Sequence, residues 1–564
     1  MNYNEDSEAT MFVTKALESS NDMGEFHVKD LLDAILLVTE QFNVNKGLKV
    51  FKEKGEEAVL AELQQLHDRK VLNPKKWHEL TYQQRKMALQ YLMFLKEKRS
   101  GKIKARGCAD GRSQRAYTPK EEASAPTVSI ESVMMSCTID AAEGRDVATV
   151  DIPGAFMQSD QEDMVHMKLQ GPMAELLVKL EPKLYRKYIT VEKGKPVLYV
   201  QLMKALYGQL KAALLFWKNL SGKLQEWGFE LNPYDTCVAN KVINGKQCTI
   251  LWHVDDLKIS HVDPDVVSDI IKKLNNHYGE MQEVTQTRGK VHDYLGMTID
   301  YSKKGKVQVK MVDYVENMLK DLEEPEFQGE ATTPAANHLF TVNEEDPELL
   351  NEEKAELFHH LVAKLLFLCK RARPDIQTAV AFLTTRVRAP DVDDFKKLGR
   401  VLKYLRGTTD LSLTLEADNS NVLRWWVDGA FAVHNDMKSH TGAIMSMGSG
   451  AVVGISTKQK LNTTSSTKAE LVAVNDAMPM VIWMRYFLEA QGYGVKDNIV
   501  YQDNQSAILL EKNGKASSSK RTKHINIRYF FVKELCTVPL KKCVEITIPS
   551  LYKEKPSTTT VISL

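Results

Sequence analysis

Several classes of protein are excluded by what this 564-residue sequence does not contain. No apolar run approaches the ~20 residues needed to span a bilayer, so no membrane role is expected. The opening MNYNEDSEAT is polar and acidic and has neither the basic nor the apolar region of a signal peptide, which predicts a soluble, non-secreted, cytoplasmic protein. The seven cysteines, Cys108, Cys137, Cys237, Cys248, Cys369, Cys536 and Cys543, form no CxxC pair and no zinc spacing, and read as reduced intracellular thiols. There is no internal repeat. Nor is there an excess of either charge: 75 basic residues face 74 acidic ones, so contact with a polyanion would have to come from local patches.

Two such patches are present. Lys96 to Arg115 is heavily basic, opposed only by Glu97 and Asp110, and a second cluster holds Lys515, Lys520, Arg521, Lys523 and His524. Taken alone, each is equally well a solvated face. The length calls for several domains. Residues 30–95 read as helices from the spacing in LLDAILLV and AVLAELQQL, giving a helical lead-in over 1–100. From 101 to 320, β-rich runs (DVATVD, PVLYVQL, QCTILWHV) alternate with amphipathic helices (LLFWKNLSGKLQEWGF, VVSDIIKKLNNHYG), the pattern of an α+β domain. Residues 321–356 are acidic and rich in turns and read as a linker. Helix returns over 357–417. A second, smaller α/β unit occupies 418–545, with LRWWVD and NIVYQD as strands and a long helix after Ser465.

The sharpest local signal is His253-Val254-Asp255-Asp256 between two apolar runs, which reads as strand, two-residue turn, strand with carboxylates at the tip. Upstream, Asp146-Val-Ala-Thr-Val-Asp151 ends a strand, and Ile152-Pro153-Gly154-Ala155-Phe156 begins a helix. The ordinary alternatives are a solvated turn for the first pair and an N-cap for Asp151. Phosphoryl transfer to a 3′-hydroxyl needs two hard cations about 4 Å apart, hence clustered carboxylates on rigid supports, and Asp151, Asp255 and Asp256 meet that need.

At these residues the chain resembles the reverse transcriptases of copia-type LTR retrotransposons: DIPGAFMQ is similar to the first palm motif, KALYG to the next, HVDD to the metal hairpin and YLGMTID to the following strand. The resemblance implies a right-hand polymerase of fingers, palm and thumb, with Mg²⁺, or Mn²⁺ in its place, held as a pair at Asp151, Asp255 and Asp256. It implies further that the amides of Gly154 and Ala155 approach the incoming triphosphate at a helix N-terminus and that Phe156 packs under the sugar and excludes a 2′-hydroxyl. In GKIKARGCADGR, which is similar to the family's KARLVAKG, Lys104 and Arg106 would pair with phosphates. Two departures stand out. His253 replaces the usual Tyr, and Tyr207-Gly208-Gln209-Leu210-Lys211 runs one residue longer to Trp217 than the family's YGLKQAPRxW, leaving Gln209 as the candidate nucleotide-contacting glutamine.

The second unit offers Asp428 at a strand end, Glu470 at a helix start and Asp503 after a strand. The ordinary readings are a turn residue for Asp428, a capping box from Thr467 to Glu470, and a helix cap at Asp503 or Asn504. Together with TGAIMSMG, STKQK, QDNQSA and KRTKHINIRYFF, these residues resemble the ribonuclease H domain that follows the polymerase in copia-type elements. The resemblance implies two Mg²⁺ at Asp428, Glu470 and Asp503, with Asn526 where the family has a fourth carboxylate and Lys468 where a second acidic residue is common. It implies RNA template, DNA primer, RNA–DNA hybrid and dNTPs as partners, and a virus-like particle as the setting of an intact element; it leaves the oligomeric state open. No zinc knuckle, Asp-Ser/Thr-Gly protease box or integrase His/Cys pairs occur, and 546–564 match no part of the family's usual ending. Asn526, Lys468 and that tail also suit a catalytically decayed relic that retains nucleic-acid binding. A palm-type nucleotidyltransferase unrelated to retroelements is the other alternative.

Overall fold

The structure, a computed structural model, describes residues 42–97, 101–320 and 322–513. Asn526, the basic cluster Lys515 to His524, Cys536, Cys543 and the tail 546–564 lie outside the described residues, as do 1–41. The chain builds a mixed α/β fold on four sheets.

The expected helical lead-in holds for one long element, α1 (Val44–Asp68), which opens on an Asn43 side-chain cap and is interrupted at Lys52 (φ +48°). A short helix, Tyr82–Met87, follows, LLDAILLV lies outside the described residues, and the expectation fails at the end of the segment. Leu89–Glu97 is a strand, paired antiparallel with Ile103–Ala109 from Glu97↔Ile103 to Tyr91↔Ala109. The run LQYLMFL is apolar apart from Gln90, so helical and alternating periods both fit it. The structure shows the alternation, with Leu89, Tyr91, Met93 and Leu95 buried against α1. The unit expected to form the fingers therefore starts well before residue 101 and has a core of its own, in which Val59, Leu63 and Leu66 of α1 meet Met93, Leu95 and Ala105.

Helix α2 (Ile130–Glu143) begins at Ser129, whose hydroxyl accepts from the Ser132 amide, and stops at Gly144 in the left-handed conformation (φ +65°), where glycine costs least. A six-stranded sheet follows where the palm is expected, ordered Thr285–Arg288, β1 (Asp146–Asp151), then the hairpin strands β3 (Asp256–His261) and β2 (Lys246–His253), then 235–243 and 230–232. Its faces are filled by residues such as Trp252, Ile250, Leu257 and Ile259, all 0–1 % exposed. Beneath it Asp140 and Lys258, both fully buried, form an ion pair that Ser136 extends through a hydrogen bond from Lys258.

The acidic stretch after 320 is not a free linker. Phe327 is fully buried against Phe395, the Arg400 guanidinium donates to Thr333, and Phe340 packs on His434 and His440. Its charges face outward while a few apolar side chains strap it down, a division that average composition hides. The helices 352–369, 377–384 and 392–406 follow as expected. Leu413–Ala417, at the end of the expected helical segment, is instead a strand paired with Lys306–Lys310.

The second unit is a four-stranded sheet ordered 453–458, 440–446, β4 (Val422–Ala430) and β5 (Asp497–Tyr501), antiparallel except that β5 runs parallel to β4. A parallel neighbour needs a crossover, and α3 (Ser466–Ala490) supplies it. The core of the second unit is continuous with that of the palm, whereas the fingers keep a separate one.

Candidate active sites

β2 and β3 are joined by a turn at Val254 and Asp255, and the register sets Asp256 directly opposite Asp151 on β1, so their side chains leave the same face of the sheet. Val254 sits at φ +59°, a conformation costly for a β-branched residue and tolerated where the surroundings fix a turn. The Ile152 amide donates to the Asp255 carbonyl, tying the hairpin tip to the loop after β1. Asp255 is buried, and burial together with the neighbouring Asp151 charge pushes its carboxyl up to about 6. Asp151 is raised by burial and eased by the Lys104 charge and a hydrogen bond with Thr285. The Tyr207 hydroxyl donates to Asp255 at 3.5 Å. Asp151 is thus the last residue of a strand and caps no helix.

Lys104 and Arg106 share one face of Ile103–Ala109, and that face is turned to the carboxylates: Lys104 lowers Asp151 and Arg106 lowers Asp255. Arg106 also lies 5.7 Å from the Tyr207 ring centre. Phe156 packs on Tyr207 with ring centres 4.4 Å apart, half-buried beside the loop. The expected helix at Ile152–Phe156 is absent. Gly154 is left-handed (φ +63°) and only one 3-10 turn, Ala155–Gln158, follows, too short for a helix dipole to act. Gln209 is buried and its side-chain oxygen accepts from the Leu206 amide, so it holds the local turn.

The second cluster is tighter. Asp428, Glu470 and Asp503 offer carboxylate oxygens all within 4.8 Å of one another, the one such group among the described residues. Asp428 lies within β4 near its end, Glu470 in the first turns of α3, and Asp503 just past β5. Gly429 makes the approach possible, since a Cβ there would lie 2.8 Å from the Ala469 backbone. Burial and the Asp428 charge push Glu470 up to about 8, and Asp428 is itself raised by burial and by Asp503. The Gln502 amide donates to Glu470 at 3.0 Å. The helix cap is Ser465, not Thr467, and Asn504 caps the last helix by accepting from Ala507, so neither Glu470 nor Asp503 is used as a cap. Lys468 reaches back to the Thr464 hydroxyl.

Residues 76–336 match the family model described as reverse transcriptase (RNA-dependent DNA polymerase). The Pol polyprotein of transposon TNT 1-94 from Nicotiana tabacum is 26% identical over 453 residues, covering 79% of this chain and 32% of that protein. That of transposon RE1 from Arabidopsis thaliana is 25% identical over 440 residues, covering 77% and 28%. The transposon Ty5-1 protein of Saccharomyces cerevisiae is 23% identical over 331 residues, covering 58% and 99%. The chain is similar to copia-type retrotransposon Pol proteins over most of its length. It spans about a third of the length of the first of these Pol polyproteins. Among solved structures, a foamy virus protease–reverse transcriptase aligns over 83% of this chain and 50% of its own at 15% identity, with a TM-score of 0.26, which carries no argument about arrangement. The segment matched by the family model contains Lys104, Arg106, Asp151, Asp255 and Asp256; Asp428, Glu470 and Asp503 fall after it.

Several residues at the two sites escaped the sequence. Tyr207 and Gln502 stood inside the quoted motifs KALYG and QDNQSA, and Gly429 directly follows Asp428, so adjacency was a usable signal. Thr285 had none.

Proposed function

We propose that the chain is an RNA-directed DNA polymerase, able also to copy DNA, whose second unit cleaves the RNA strand of RNA–DNA hybrids. The observation that carries the reading is the β2–β3 hairpin, which sets Asp255 and Asp256 against Asp151 within the segment matching the reverse transcriptase family. The donor set suits a hard divalent cation: three carboxylates at one end of the sheet, with Asp255 raised by burial and by the Asp151 charge and Asp151 raised by burial. Asp151, Asp255 and Asp256 would hold Mg²⁺, with Mn²⁺ as a substitute and two ions per site. Bound there, the metal supplies Lewis-acid activation of the attacking 3′-hydroxyl and neutralises charge on the phosphoryl group.

The chain's own residues do the rest. Lys104 and Arg106 pair with phosphate oxygens, the Gly154 and Ala155 amides donate to the triphosphate, and Phe156, braced by Tyr207, leaves no room for a 2′-hydroxyl. Tyr207 keeps Asp255 in place through its hydroxyl. In the second unit Asp428, Glu470 and Asp503 would hold the cations for RNA cleavage, an assignment supported by their convergence and by the mixed sheet with its single parallel pair. RNA would be told from DNA by the 2′-hydroxyl. RNA template, DNA primer, hybrid and dNTPs are the partners this reading requires. With near-zero net charge, hybrid affinity would rest on local patches and fall steeply with salt.

The test is extension of a DNA primer on an RNA template with Mg²⁺, beside an Asp255→Asn/Asp256→Asn control. Extension that disappears in the control supports the polymerase. Folded wild-type protein that extends nothing overturns it and leaves the relic reading.

A further inference from the structure

Arg69 ends α1 in the fingers, yet its guanidinium belongs to the palm loop. Nη2 donates to the Pro153 carbonyl at 3.2 Å, and a Cβ built on Gly154 would lie 3.1 Å from both the Arg69 Cζ and Nε. The guanidinium therefore sits close against Gly154, a contact that the bare glycine backbone permits. The same loop joins Asp151 to Phe156. Tyr207, which donates to Asp255 and has Arg106 on its ring, stands near the same guanidinium.

Arg69 is half-buried, and among the described residues no carboxylate stands within ion-pair reach of it. That is unusual for a guanidinium removed from water, whose charge is costly without an anion. Its named partner is a neutral carbonyl, which leaves most of its five N–H donors over. Lys211, another cation of this region, is by contrast already bound by Glu122 and Asp163.

We propose that Arg69 is a substrate-binding residue that grips the triphosphate of the incoming nucleotide from the α1 side of the Pro153–Gly154 loop. The inference rests on the polymerase reading and adds a residue that no motif marks. Arg69 forms charge-assisted hydrogen bonds to phosphate oxygens while its bond to Pro153 holds the fork in place. A Lys there keeps the charge and loses the planar fork that lies on Gly154.

The test uses the full chain and the variants Arg69→Ala and Arg69→Lys, with two readouts. In primer extension on an RNA template, KM for dTTP should rise about 10- to 100-fold in Arg69→Ala, the range for a charged hydrogen bond, with kcat changed far less and primer–template affinity unchanged. Arg69→Lys should recover part of the loss. Equilibrium binding of inorganic tripolyphosphate should weaken in parallel, and this readout needs no catalysis. If wild-type protein fails to extend but Arg69→Ala still loses tripolyphosphate affinity, the polymerase reading falls and the anion site stands. Unchanged tripolyphosphate binding in folded Arg69→Ala overturns the inference. So does a loss of primer–template affinity with dTTP KM unchanged, which would assign Arg69 to the nucleic-acid backbone.

Discussion

Asp255 and Asp256 are chain neighbours that meet Asp151 across one pair of strands, whereas Asp428, Glu470 and Asp503 are gathered from two strands and a helix start far apart in the chain. The first cluster is looser, has cations around it in Lys104 and Arg106, and rests on a strained turn at Val254. The second is tighter, more strongly repelled from within, and eased chiefly by the Gln502 amide. The difference teaches that a local motif announces a site more clearly, while dispersed residues can build the more compact one.

Independence of the clusters is the largest effect to test. Asp255→Asn should lower primer extension about a thousandfold or more, several kcal/mol of lost charge stabilisation, and leave hybrid cleavage intact. Asp428→Asn should do the reverse. Paired extension and cleavage assays on both variants check this, and a variant that abolishes both activities while still folded would break the comparison.

The pH response should separate them next. A carboxyl raised in the folded state contributes stability that is present below its unfolded value and lost as pH rises through the folded one. For Glu470 that window runs from about 4.5 to about 8, and for Asp255 from 3.8 to about 6. In chelator, melting temperature should therefore fall as pH rises from 5 to 8, with the later part of the fall belonging to Glu470. Added Mg²⁺ should stabilise more at pH 8 than at pH 6. Calorimetry across this range decides it, and Glu470→Gln should remove the later part. The same substitution should raise the metal-free melting temperature by about 1 °C if about 1 kcal/mol of repulsion is relieved within so large a cooperative block.

The smallest effect concerns what joins the regions. Arg145, buried at the foot of α2, donates to the Tyr493 hydroxyl at 2.6 Å, and that hydroxyl donates to Glu143 at 3.0 Å. Tyr493→Phe should cost about 1 kcal/mol, read by denaturant midpoint, without touching either activity at saturating substrate.

Much of this was legible in the sequence. The hairpin, β1, the helices 352–369 and 392–406, and the strands carrying Asp428 and Asp503 follow from alternation, caps and turn residues. What misled was uniformity: in LQYLMFL nothing distinguishes the two periods until α1 covers one face. The strap after 320 was misread because charge dominates its composition while Phe327 and Phe340 decide its fate. Ile152–Phe156 resembled a helix start, but left-handed Gly154 turns the chain into a single tight turn. Arg69 could not be read at all, because its partner lies 84 residues away and is a backbone carbonyl.

Helix α3 carries one implication beyond catalysis. Glu470 stands near its start, while near its end Trp483 donates to the Tyr234 carbonyl, the Phe487 carbonyl accepts from Asn232, and Tyr486 stacks on Tyr234. Since these palm contacts and Glu470 share one rod and one continuous core, the palm and the second unit should denature as a single cooperative block. The fingers, with their own core, are the part free to melt first. Heating would then loosen the face that carries Lys104 and Arg106 before it separated the two carboxylate clusters.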